Sequence, residues 1–162
     1  MKNNIKNVAV VGTGVIGTGW IIRFLAHDKK VVAYDKDLKF KKRIIAEIKR
    51  TWPYVKKLFN KKKLKLKNFK YVTSLKEALK DVDLVQECAP ENYKLKTKLM
   101  EIIGKYSKPN VIISSMIFFS NFESLSYAIT FLLWAKNLII HPAPITPVPI
   151  TAIFLIVDIT CV

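Results

Sequence analysis

At 162 residues, the chain has room for one substantial hydrophobic core, and 51% hydrophobic with 25% charged residues excludes a disordered polymer. Two cysteines, Cys88 and Cys161, are too few for a disulfide framework, so a reducing, cytoplasmic setting is expected. The net charge of +16 is uneven: Glu47 is the only acid between Lys39 and Lys70, and past Pro109 the charges thin to Glu123, Lys136 and Asp158.

The opening Met1-Lys2-Asn3-Asn4 leads into a short apolar run and gives no expectation of a signal peptide. Val8 to Val11 reads as a strand buried on both faces, ending at a glycine. Val15 to Ala26 follows as a helix whose apolar stripe is Ile16, Trp20, Ile21 and Phe24. Val31 to Tyr34 is a second strand, closed by Asp35. The basic amphipathic stretch from Leu38 to Phe59 predicts two helices broken at Trp52-Pro53, since proline interrupts helical hydrogen bonding. Such a basic run attracts phosphates or nucleic acid, or is simply a solvated helical face. Phe69 to Val72 is a third strand and Leu75 to Leu79 a short helix. Asp83 to Cys88 is a fourth strand, Asn92 to about Lys105 a helix, and Val111 to Ile113 a fifth strand. Beyond Ser115 the character changes. Met116 to Trp134 is apolar without a clean period, four prolines crowd Pro142 to Pro149, and Ile150 to Val157 reads as a buried strand. Glu123 and the prolines interrupt the apolar run, so no membrane span is expected.

Gly12-Thr13-Gly14-Val15-Ile16-Gly17 fits G-x-G-x-x-G between a strand and a helix, and Asp35 closes the next strand 18 residues after Gly17. Gly12 permits the tight turn, Gly14 lets a pyrophosphate approach the backbone, and Gly17 lets helix and strand pack closely. The anion then meets free amides and the positive end of the helix dipole. Asp35 accepts hydrogen bonds from the adenosine ribose and repels a 2′-phosphate, which favours NAD over NADP despite the adjacent Lys36. The predicted fold is α/β: a Rossmann-type, doubly wound, mainly parallel sheet with a basic helical hairpin inserted after the second strand. One domain is expected over residues 1–162, and no metal.

Val8 to Trp20 (VAVVGTGVIGTGW) and Asp83 to Glu91 (DLVQECAPE) together resemble the 3-hydroxyacyl-CoA dehydrogenase family. Gly19-Trp20, Trp52-Pro53 and Gln86-Glu87 are most similar to its L-carnitine dehydrogenase branch, and the resemblance runs from Val8 to Ser115. It implies that Leu38 to Lys67 is a clamp over the coenzyme, and that Glu91 and Lys96 contact NAD. A buried ion pair is the alternative for those two. The family's serine-rich turn, whose last serine touches substrate, is matched by Ser114 and Ser115, with Met116 and Ile117 replacing the rest. Its catalytic histidine segment is similar to Asn137 to Pro142, which makes His141 the candidate base; the alternative is a strand-end histidine without a catalytic partner. Thr146 stands where the family has asparagine, and Ile153 where it has an orienting glutamate, with Asp158 the nearest acid. His27, on the first helix, is remote from any expected site.

The family continues past the length of this chain into a helical domain that dimerises and closes the substrate pocket. A homodimer is therefore not expected of these 162 residues alone. The resemblance implies hydride transfer from the 3-hydroxyl of L-carnitine or a 3-hydroxyacyl-CoA to NAD. The small-molecule substrate is the expected partner, not nucleic acid or membrane. The alternatives are a non-catalytic NAD-binding fragment and a basic interaction protein. Residues 116–136 are expected to reflect either an altered reading frame or ordinary divergence.

Overall fold

The continuous apolar run of the first strand, its side chains alternating between two faces, sets the plan of the molecule. In the computed structural model, which describes residues 5–60, 63–119 and 151–158, β1 (Asn7–Val11) is buried on both faces. Val8 and Val10 point into one core, Ala9 and Val11 into another, as the two-residue period of a strand requires. β2 (Lys30–Tyr34) and β3 (Phe69–Val72) extend the sheet on one side of β1; β4 (Leu84–Glu87), β5 (Ile112–Phe119) and β6 (Thr151–Asp158) extend it on the other. All neighbouring strands pair in parallel, in the order β3-β2-β1-β4-β5-β6. The direction of winding reverses between β1 and β4, which opens a crevice at their carboxyl ends.

Helices cover both faces. α1 (Val15–Ala26) and α2 (Phe40–Leu58) bury Ile21, Ile22, Leu25, Ile44, Ile48 and Trp52 against Val8, Val10, Val31 and Ala33. α3 (Leu75–Ala78) and α4 (Tyr93–Tyr106) bury Leu75, Leu99, Met100 and Ile103 against Ala9, Val11, Val85 and Ile113. Asn92 caps α4 by accepting from the Leu95 amide at 2.9 Å, and Ser74 caps α3 through Glu77 N–H.

Two expectations are corrected. The stretch after β2 is one helix, not two: Pro53 lies inside α2. The buried stripe Ile44, Ile48, Trp52 and Val55 continues past the proline. At roughly 1.5–3 kcal/mol per buried apolar side chain, it outweighs the ~3 kcal/mol that proline costs a helix interior. Nor do the described residues form a helical hairpin. After Phe59 the chain turns at Asn60 (φ 49°), and among the described residues a 3-10 turn, Leu66–Asn68, precedes β3. At the other end, β5 continues through Ser114 and Ser115 to Phe119, beyond the expected limit at Ile113, because β6 pairs with it along its whole length. Most of Met116 to Trp134, the proline cluster, His141, Thr146 and Cys161 lie outside the described residues. No helix among the described residues is long and apolar enough to cross a membrane.

Candidate dinucleotide site

A cleft of about 650 Å³ occupies the crevice, a size usual for small-molecule sites. Its floor is the loop from Val11 to Ile16; one wall is Tyr34 to Lys36 with Phe40 and Arg43, and the other is Cys88 to Glu91 with Leu95 and Leu99. The loop is anchored on both sides: Gly12 N–H donates to the Tyr34 carbonyl at 3.0 Å, and Cys88 N–H to that of Val11 at 2.8 Å.

The three glycines do different work. Gly12 has φ +92°, and a Cβ there would sit 2.8 Å from the Cys88 carbonyl oxygen. At Gly17 a Cβ would stand 1.9 Å from the Gly12 oxygen, so only glycine lets α1 start this close to the loop. A Cβ on Gly14 would meet nothing within 4 Å: the space above it is the cleft itself. α1 begins with no side-chain cap and no acid in its first turn, so its leading amides face the cleft without a competing protein anion. Val15 is 93% exposed at this mouth, and Ile16 also stands open. These features fit a diphosphate lying over Gly12–Gly14.

Asp35 sits at the adjacent wall with its carboxylate already oriented. Oδ2 accepts from the Thr13 amide at 3.1 Å and the Thr13 hydroxyl at 2.6 Å, and Oδ1 accepts from the Lys36 amide at 2.8 Å. Thr13 is fully buried, its side chain spent on holding Asp35. Arg43 joins the same corner, donating to the Thr13 carbonyl at 3.1 Å and lying 4.6 Å over the Phe40 ring. The start of the basic stretch thus belongs to the cleft. Sequence reasoning placed it over the coenzyme without singling out Arg43, which is hidden among its neighbours Lys41 and Lys42.

The far wall holds a buried polar cluster. Glu91 lines the cleft, whereas Lys96 is buried behind it, 3.7 Å from Glu91 Oε2 and 2.8 Å from Oε2 of Glu87. Lys96 thus pairs with both carboxylates, and Glu87 is its nearer partner. Sequence reasoning missed Glu87. An acid at the end of a strand flanked by apolar residues demands a buried cation, and that was the available signal. Ser115, expected at the substrate, is fully buried and donates its hydroxyl to Glu87 Oε2 at 2.5 Å. Cys88 lines the cleft, and burial, then the Glu87 charge, pushes its thiol up to about 12, which disfavours the thiolate. His27 lies at the opposite end of α1, edge-on to Phe59 at 5.1 Å.

A crevice at the reversal of a parallel sheet, a glycine floor at a helix start and an oriented carboxylate define a Rossmann dinucleotide-binding domain. Comparison with known proteins carries this further. Residues 7–147 match the family model described as 3-hydroxyacyl-CoA dehydrogenase, NAD binding domain. The chain is 44% identical over 111 residues to L-carnitine dehydrogenase of Oceanobacillus iheyensis, covering 68% of this chain and 36% of that one. It is 39% identical over 107 residues to L-carnitine dehydrogenase of Staphylococcus epidermidis, covering 66% and 33%. Among solved structures, (S)-3-hydroxybutyryl-CoA dehydrogenase from Ralstonia eutropha aligns with a TM-score of 0.63 at 28% identity, over 76% of this chain and 45% of that one. The chain belongs to the 3-hydroxyacyl-CoA dehydrogenase family and carries its NAD-binding domain. It spans about a third of the length of the curated relatives it matches.

Proposed function

We propose that this chain provides the cofactor half of an NAD-dependent 3-hydroxy dehydrogenase whose substrate is L-carnitine, with 3-hydroxyacyl-CoA as the alternative substrate within the family. The observation that carries the reading is the prebuilt Asp35–Thr13 corner beside a glycine loop with open space above Gly14. Two curated relatives, 44% and 39% identical and named L-carnitine dehydrogenases, support the choice of substrate.

In this reading the amides of Gly14, Val15 and Ile16 hold the diphosphate, Asp35 holds the adenosine ribose, and Arg43 with Phe40 closes the adenosine end. Glu91 faces the nicotinamide end. NAD, when bound, supplies the hydride acceptor. The chain must then supply a base for the 3-hydroxyl proton, and His141, outside the described residues, is the proposed one. A second reading, NAD binding without turnover, is favoured by the Ser115 hydroxyl, which is turned into the protein toward Glu87.

Calorimetric titration with NAD and NADP, followed by carnitine-dependent formation of reduced nicotinamide, separates the two. Tight NAD binding with carnitine turnover that disappears in His141→Ala supports the first. NAD binding with no turnover on carnitine or 3-hydroxyacyl-CoA supports the second. Folded protein that ignores both coenzymes at millimolar levels overturns both.

A further inference from the structure

The Glu87 carboxylate has no exposed surface, and no part of the dinucleotide motif uses it. Its two oxygens divide their partners. Oε1 accepts from the Ala89 amide at 2.6 Å; Oε2 accepts from Lys96 Nζ at 2.8 Å and from Ser115 Oγ at 2.5 Å. The three donors come from three different elements: the loop after β4, α4 and β5. A charge taken so completely out of water persists only when strong hydrogen bonds replace hydration, and these partners supply them.

The position of this hub matters as much as its burial. Ala89, Pro90 and Glu91 form the wall of the cleft opposite Asp35, and Ala89 is fixed directly by Glu87. Lys96, held by Glu87, lies 3.7 Å from the Glu91 carboxylate at the rim. With the adenosine ribose at Asp35 and the diphosphate over the glycine loop, the second nucleoside of NAD belongs to this side of the crevice.

We propose that Glu87 is a positioning residue for the nicotinamide nucleoside. It acts without touching NAD, by setting the Ala89 backbone and, through Lys96, the Glu91 carboxylate. The inference rests on the NAD-binding reading. It requires that loss of the Glu87 charge weaken recognition of one half of the cofactor and spare the other.

The test titrates the full chain, Glu87→Gln, and the double variant Glu87→Gln/Lys96→Met with NAD and with ADP, which keeps only the adenosine and diphosphate. The expected result for Glu87→Gln is a rise of about tenfold in the NAD Kd with the ADP Kd held within about twofold. The double variant removes both buried charges, so it should regain thermal stability yet stay weak for NAD; it serves as the test if the single variant fails to fold. Equal losses for NAD and ADP, or none for either, overturn the proposal and reduce Glu87 to a fold-stabilising partner of Lys96. Wild-type protein that binds neither ligand sinks the cofactor reading itself, an outcome distinct from the other two.

Discussion

Strand β4 has a lysine-paired carboxylate at each end, and the two ends do different things. Just before the strand, Asp83 accepts from the Lys6 and Asn7 amides, each at 2.8 Å, and from Lys108 Nζ at 2.5 Å. Four residues on, roughly 13 Å along the strand, Glu87 holds Lys96 of α4. Asp83 is a quarter exposed and clasps β1, β4 and the segment after α4 at the amino ends of the central strands, away from the cleft. Glu87 has no exposure and stands beneath the cleft wall. The same pair of residue types is thus a clasp where water reaches it and a positioning device where water does not. Burial decides, because it makes a charge depend on the exact donors around it.

The largest effect that would sharpen this contrast is expected from Glu87→Ala, which strands the Lys96 ammonium in the interior. A loss of about 3–5 kcal/mol in unfolding free energy is expected, read by urea denaturation; a loss below ~1 kcal/mol would make the two ends of β4 equivalent. Next come the glycines on the cleft side. Gly17→Ala places a Cβ against the Gly12 carbonyl and should lower the Tm by several degrees, on the order of 2 kcal/mol of stability. Gly14→Ala, with nothing near its Cβ, should leave the Tm unchanged and weaken NAD binding roughly tenfold or more.

The clasp end has its own pH signature. Burial raises the Asp83 carboxyl, but hydrogen bonds from Lys108, Asn7 and Lys6 outweigh it and bring it down to about 2 from an ordinary 3.8. A folded-state value below the unfolded one stabilises the protein above pH 3.8, and that contribution fades as pH falls from there toward 2. Asp83→Asn should therefore cost about 1–2 kcal/mol at neutral pH, with the gap to wild type closing in acid. A gap that stays constant down to about pH 2 would remove Lys108 and the amides as the cause. The smallest effect concerns Cys88. Its raised thiol should react with iodoacetamide at about pH 8 far more slowly than a free cysteine does. Mass spectrometry after timed quenching checks this, and rapid labelling would show that the cleft wall admits water more freely than its packing indicates.

Much of this molecule is legible along the chain. The short strands, the glycine spacing and Asp35 are local facts: each follows from backbone sterics, from burial on two faces or from a turn that only glycine makes. What no local rule contained was the run of α2 through Pro53, decided by a stripe of side chains that finds its core only in three dimensions. The same holds for Lys96 and Ser115, which lie 9 and 28 residues from Glu87 in sequence yet share its carboxylate. Sequence patterns report what each residue needs, whereas partners for a buried charge are chosen by packing. The glycine floor could therefore be read from the sequence, and the partners of the buried carboxylate behind its far wall could not.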